Sequence, residues 1–493
     1  MLYAGLPQDY FTNRTAQRVV KQLSCRQGAS ARVETSLRTG RFSDMQIERS
    51  IKKPWLARAL LSRCWSWKES LVAIVPLCIV MLFVIALPRQ FVLIVTLVKE
   101  GDWTKPLQYG VLFLILASMA SRSIHTLLWF IYRPVPAASA PLAPSLTVII
   151  PAFNEGAMVE KAIFSVAAAE YPADRLQIIV VDDGSTDDTW VHIDRAAARH
   201  PDLVQAVRFP RNCGKRAALA EGFRRARGEV TITVDSDSII DYGTLLAMVG
   251  PFRDPKVGAV AGKVIPFNRH AGLLPRMLHV QFTLAFDFLR SVQSTYRTVQ
   301  CCPGALAAYR TDLARRILPD WESQTFLGVR CTFGEDRSLT NYILAEGYDT
   351  VFQRTTVVKT IVPETYQKLC KMYLRWGRSQ IREGCRFFRI LWKRPATARL
   401  IAFYDTVVGT IVRLAGYALL LPILSSIHGT AGLIRLIIAI AVTALFNTLY
   451  FLRSERSWEF AFGILYTYFA LFGLTWILPY AALTVRKTSW LTR

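Results

Sequence analysis

Short apolar runs rich in β-branched residues alternate with helix-period stripes through the middle of the chain. Residues 146–150, 176–181, 204–209 and 230–234 read as four strands, each bounded by Gly, Pro, Asn or Asp. Between them, 158–169 and 215–225 carry apolar positions at helical spacing, and Gly184-Ser185-Thr186-Asp187-Asp188 is a turn and helix-start signal with capping hydroxyls and first-turn acids. This alternation predicts an α/β domain with a doubly wound sheet and right-handed crossovers. In such sheets ligands bind beyond the strand ends.

Apolar stretches of another kind flank this block. Residues 71–88 hold no charge over 18 positions, and 106–121 are charge-free and continue past Arg122 to Tyr132. On the far side 436–451 and 460–483 contain no charged side chain, and 407–428 only Arg413. Their number and length predict membrane-spanning helices rather than the buried helices of a large soluble core. The expected order is a basic arm (1–68), two spans (69–133), a catalytic domain (134–385), an amphipathic interface segment (386–406), a C-terminal membrane region (407–485) and a tail (486–493). Three apolar segments follow the catalytic domain, whereas a tail on the catalytic side requires an even number of crossings.

Charge refines the topology. The chain carries 60 Lys and Arg against 36 Asp and Glu, a net +24, and thirteen of the basic residues lie in the first 68 positions. The positive-inside rule then places the arm and the catalytic domain in the cytoplasm of a multi-pass inner- or plasma-membrane protein. Because much of the excess is juxtamembrane, anionic membrane lipid is the expected partner and nucleic acid is not. The nine cysteines show no metal-ligand spacing and read as reduced thiols.

Candidate chemistry collects at the predicted strand ends. Asp182-Asp183 follows the second strand and Asp235-Ser236-Asp237 the fourth. Two carboxylates one residue apart can share a pocket, one facing a ribose hydroxyl and the other a hard divalent cation that neutralises a diphosphate leaving group. Aspartates beyond a strand are also ordinary turn residues. Asn212-Cys213-Gly214-Lys215-Arg216 opens a helix, where two cations oppose the dipole and so require compensation, and backbone N–H groups favour phosphate. Gly334-Glu335-Asp336-Arg337 precedes an apolar helix, and Asp336 can accept a proton from an acceptor hydroxyl; the plain alternative is first-turn acids beside Arg337. Tyr373 and Trp376, three apart, can share a helix face against a sugar, with Arg375 and Arg378 on a neighbouring face.

Together these motifs, with Cys302-Pro303-Gly304 and Arg375-Trp376, resemble membrane-integrated processive family-2 glycosyltransferases, especially hyaluronan synthases and nodulation-type chitooligosaccharide synthases. The resemblance implies a GT-A-like domain inserted between transmembrane helices. It also implies inverting transfer from a UDP-sugar donor to a growing β-linked polysaccharide acceptor, with Mg²⁺ or Mn²⁺ as cofactor. In it Asp183, Asp235, Lys215, Arg216, Arg375 and Arg378 face the donor and Asp237 holds the metal. Asp336 is the base, flanked by Glu335 and Arg337, and Cys302, Pro303, Gly304 and Trp376 line the acceptor end. The tail resembles a gating loop, with Trp490 and Arg493 reaching the nucleotide.

One position departs from the resembled pattern. Where Gln-x-x-Arg-Trp is usual, the chain has Met372-Tyr373-Leu374-Arg375-Trp376, and a methionine fills the volume without the hydrogen bonds. The expected product is hyaluronan. The alternatives are chitin or a chitooligosaccharide, an alginate-type uronate polymer, and single addition to a lipid-linked acceptor.

Overall fold

The computed structural model describes residues 104–425 and 429–488, together with five isolated positions between 74 and 85. The basic arm, most of the first apolar run, and Trp490 and Arg493 lie outside the described residues.

Helix α1 (Thr104–Ile131) leads through a Pro- and Ala-rich linker into β1 (Leu146–Ala152). Three αβ steps follow: α2 (Met158–Ala167), β2 (Leu176–Asp182), α3 (Thr189–Arg199), β3 (Val204–Arg208), α4 (Lys215–Arg225) and β4 (Val230–Val234). β1, β2 and β4 are buried almost throughout, as expected for parallel strands covered on both faces. β1 pairs in parallel with β2 and β4, and β2 with β3.

Beyond β4 the expected doubly wound pattern gives way to a mixed sheet. The remaining strands are β5 (Ser238–Ile240), β6 (Val257–Pro266), β7 (Leu306–Arg310), a small separate hairpin of β8 (Thr325–Phe326) and β9 (Val329–Arg330), and β10 (Asp349–Thr360). The eight-stranded order is β3-β2-β1-β4-β7-β6-β10-β5, with β7 antiparallel to β4 and β6, and β5 antiparallel to β10. Putting β7 beside β4 brings the loop before β7, residues 301–305, alongside the Asp235-Ser236-Asp237 turn that leaves β4.

Helices α5 (Leu273–Thr283), α6 (Thr311–Glu322), α7 (Glu335–Ala345) and α8 (Tyr366–Ile390) complete the domain. The chain then forms α9 (Ala396–Ser425), α10 (Gly429–Thr448), α11 (Phe460–Phe469) and α12 (Ile477–Leu483). α9 is continuous across the expected boundary between interface segment and membrane region. Among the described residues one helix, Gly432–Ser454, is long and apolar enough to cross a membrane; Phe460–Leu474 with Ile477–Leu483, bent by 43°, makes a second if taken as one span.

These helices are tied to the catalytic domain at defined points. Asp405 of α9 accepts from Tyr296 at 2.8 Å and contacts His125 of α1 at 2.7 Å. Where α10 ends, Tyr450 donates to the Val280 carbonyl at 2.6 Å, Ser454 to Asp287 at 2.7 Å, and Glu455 receives Lys263 at 3.0 Å. The last apolar segment touches the domain along its whole length. Glu459 meets His279 at 3.5 Å, Tyr466 pairs with Tyr373 at 2.8 Å, Tyr366 donates to the Gly473 carbonyl at 2.6 Å, and Thr332 donates to the Thr488 carbonyl at 2.6 Å.

Candidate active site

A cavity of about 1420 Å³ opens at the ends of β1, β2 and β4 and is closed on its far side by α5, α7 and α8. Strand geometry explains which carboxylates face it. Asp182, the last residue of β2, is fully buried and accepts from the Ser185 amide at 3.0 Å, so it closes its own turn. Asp183, next along, reaches the cavity and accepts from the amides of Cys213 at 2.7 Å and Gly214 at 2.8 Å. Burial pushes its carboxyl above the ordinary carboxylate range, with the two amides working against that shift. Gly184 adopts φ +72°, and a Cβ there would overlap the Arg211 backbone, so the approach of the two loops requires glycine.

Lys215 and Arg216 part company. Lys215, the first residue of α4, donates to Asp235 and lies 3.5 Å from Glu335. Burial disfavours its charge, but Asp235, Glu335 and Asp336 outweigh that and hold its pKa above the ordinary value. The compensation the sequence demanded for a cation at this helix start is thus supplied by carboxylates. Arg216 borders the cavity too, but its guanidinium is buried against α6, donating to the Trp321 carbonyl at 2.6 Å and to Gln324 at 3.1 Å and lying over the Trp321 ring.

Asp235 and Asp237 both line the cavity, and Asp237 is only 2% exposed, accepting from Ser238 at 3.1 Å and Thr360 at 3.2 Å. Among the described residues no group of three His, Cys, Asp or Glu side chains stands close enough to hold a metal alone. A single cavity-facing carboxylate nevertheless fits Mg²⁺ or Mn²⁺ bound mainly through substrate phosphates and water, the usual manner of Mg²⁺.

Gly334, left-handed at φ +77°, starts α7 and delivers Glu335 and Asp336 to the cavity. Asp336 accepts from the Arg337 amide at 2.7 Å, and its other oxygen lies 3.5 Å from Cys301 Sγ and 3.4 Å from the Gly304 amide. Gly304 is the meeting point of the site: a Cβ there would stand 3.3 Å from Lys215 Nζ, 3.6 Å from Asp235 and 4.0 Å from Asp336. Pro303 and Gly304 line the cavity as expected. Cys302 faces the core, its amide bonded to Thr340 at 2.9 Å, and its neighbour Cys301 lines the cavity. Burial pushes both thiols up to about 12.

Arg375 and Trp376 of α8 line the cavity with Met372, Ser379 and Gln380. Arg378 does not: its guanidinium donates to Thr484 at 3.1 and 3.0 Å, joining α8 to the segment after α12. Trp376, 38% exposed, sits against Phe282 and Phe286 at 6.1 and 6.3 Å between ring centroids. Tyr373 packs edge-on to Trp376 while its hydroxyl turns to Tyr466. Phe282 and Phe286 were not singled out from sequence, although two aromatics four apart in a helical stretch are a signal for a shared face.

α7 and α8 are clasped together. A Cβ at Gly334 would overlap Ser379, Arg382 donates to the Phe333 carbonyl at 2.7 Å with its guanidinium over the Phe333 ring, and Asn341 donates to Glu383 at 2.9 Å.

The glycosyl transferase family 2 model matches residues 147–318. The chain is 31% identical over 356 residues to an N-acetylglucosaminyltransferase of Azorhizobium caulinodans, covering 72% of this chain and 88% of that protein. It is 30% identical over 400 residues to an N-acetylglucosaminyltransferase of Rhizobium meliloti, covering 76% and 91%. Among solved structures, a mannosyltransferase from Pyrobaculum calidifontis in complex with GDP-Man and Mn²⁺ aligns at 23% identity and TM-score 0.45, over 73% of this chain and 99% of that one. The chain therefore belongs to glycosyl transferase family 2, and is a glycosyltransferase related to the rhizobial N-acetylglucosaminyltransferases.

Proposed function

We propose that the enzyme lengthens a β-linked N-acetylglucosamine oligomer by inverting transfer from UDP-N-acetylglucosamine. The observation that carries this reading is the placement of Gly304 between the Lys215–Asp235 pair and Asp336. A sugar over Gly304 would have its leaving group towards the lysine and the attacking hydroxyl towards the carboxylate. The hyaluronan product expected from the sequence gives way here, because the similar proteins are N-acetylglucosaminyltransferases, which favours the chitooligosaccharide alternative.

In this mechanism Asp183 orients the nucleotide base or ribose and Asp235 serves the nucleotide side. Asp336 takes the proton of the acceptor hydroxyl as its oxygen attacks the anomeric carbon. The bond from that carbon to the diphosphate breaks, and UDP leaves beside Lys215 and Arg375. Asp237, with phosphate oxygens and water, would hold the Mg²⁺ or Mn²⁺ that neutralises charge on the leaving diphosphate. Trp376, with Phe282 and Phe286, offers the apolar surface on which an acceptor ring stacks.

The reading extends to the membrane. α9 leaves the catalytic domain near Asp405 and α10 returns to it at Tyr450 and Ser454, which supports a two-crossing hairpin. α11 and α12 touch the domain from Glu459 to Thr488, which supports a segment lying along the membrane-facing side of the domain rather than a third crossing. An even count then leaves the tail on the catalytic side, where Trp490 and Arg493 can reach the donor. Purified enzyme offered single UDP-sugars and pairs of them, with mass analysis of the product, tests the substrate. Growth by N-acetylglucosamine units alone is expected; a requirement for alternating UDP-glucuronate would restore hyaluronan.

A further inference from the structure

Arg290 lies in the short helix Leu289–Thr295, is 8% exposed and lines the cavity. Its Nη1 donates to Gln293 at 3.0 Å, but its buried Nε–H has no hydrogen-bond partner, and among the described residues it forms no ion pair. The buried Nε–H is closed to ligands, but Nη2 is neither bonded nor buried and opens on the cavity, where an entering oxygen can complete it. The position tells which ligand. The groups that act on its charge are Cys301, Arg337, Cys302 and Asp336, and its guanidinium stands 6.0 Å from the Phe286 ring, which in turn packs on Trp376. Arg290 therefore lies on the cavity wall within reach of the charge of Asp336 and beside the aromatic cluster.

An aromatic face beside an open planar donor matches a sugar, whose apolar ring face stacks while its oxygens accept hydrogen bonds. We infer that Arg290 binds the terminal sugar of the acceptor, its Nη2–H donating to a hydroxyl or amide carbonyl oxygen of that ring and fixing the attacking hydroxyl towards Asp336. The inference rests on the proposed transfer reaction and adds an acceptor-binding residue outside the motifs recognised in the sequence. It also divides the work among the cavity cations: Lys215 serves the donor and Arg290 the acceptor.

The test uses the full-length enzyme in detergent with chitotetraose as acceptor. Arg290→Gln should raise the KM for chitotetraose at least about tenfold, while the affinity for UDP, titrated by calorimetry, stays within about twofold of wild type. Arg290→Lys keeps the charge but not the fork and should fall between the two. An unchanged chitotetraose KM in both variants overturns the inference, as does a parallel loss of UDP affinity in both. A wild-type enzyme that turns over only another UDP-sugar counts against the substrate reading alone, since the acceptor KM of the variants is read with whichever donor it accepts.

Discussion

Cys301 holds its thiol 3.5 Å from the Asp336 carboxylate, inside a wall where burial pushes that thiol up to about 12. Its neighbour Cys302 is shifted to the same degree on the core side of the loop. Both stay neutral in the fold, whereas the unfolded thiols ionise near the ordinary value of 9.0. Their raised folded pKa contributes stability that is present below about pH 9 and is lost as pH rises towards 12. Thermal unfolding between pH 8 and 10.5 should therefore show a steeper fall for wild type than for Cys301→Ala/Cys302→Ala. A pH-independent gap between the two proteins would contradict the assignment.

Asp336→Asn should lower sugar transfer by about 10³-fold, within the range of lost general-base catalysis, with UDP affinity changed less than about threefold. Transfer rates with saturating donor, alongside calorimetric titration of UDP, separate the two quantities. Substantial residual transfer would remove Asp336 as the base.

Gly304→Ala fills the space between Lys215 Nζ at 3.3 Å and Asp336 at 4.0 Å. Displacing the sugar by a fraction of an ångström should cut kcat by about 10- to 100-fold while leaving UDP binding intact. Equal activity of the alanine variant would mean that the reacting carbon does not lie over this residue.

How far the sequence foretold this site follows from local geometry. β1 to β4 and α4 were legible because each strand is a short β-branched run closed by a turn, and α4 begins and ends at the expected residues. The antiparallel insertion of β7 was not, since adjacency of β7 to β4 and β6 is a long-range pairing without local signature. Lys215 and Arg216 differ because successive helical residues point about 100° apart, so the lysine turns to Asp235 and the Arg216 guanidinium to Trp321, although both residues border the cavity. Cys301 and Cys302 lie in the irregular loop before β7, where no local periodicity announces that one lines the cavity and the other packs in the core. Arg375 and Arg378, three apart, sit on one side of α8, yet that side borders both the cavity and Thr484, and each takes a different neighbour.

Asp237→Ala should abolish divalent-dependent turnover, a loss of about 10²-fold or more, and weaken UDP binding in Mg²⁺ but not in chelator. Titrating UDP with Mg²⁺, with Mn²⁺ and with EDTA gives the comparison. A variant whose UDP affinity still rises with metal would place the cation elsewhere.

For the C-terminal segment, a cysteine placed at Thr492 should resist impermeant thiol reagents in intact cells and react after permeabilisation. Trp490→Ala should depress turnover without lowering the amount of protein in the membrane fraction. Labelling from outside would require an odd number of crossings after the catalytic domain.

The clasp between α7 and α8 has a mechanical consequence. With Ser379 pressed on Gly334 and Arg382 anchored to Phe333, the helix carrying Asp336 and the helix carrying Trp376 form one lever. The chain runs on from α8 through Leu391–Lys393 and the extended Arg394 into α9. Under the proposed membrane placement of α9, a tilt of that helix that reached α8 would carry Asp336 and Trp376 in step, so lipid composition would act on the donor-to-acceptor gap rather than on either half of the site.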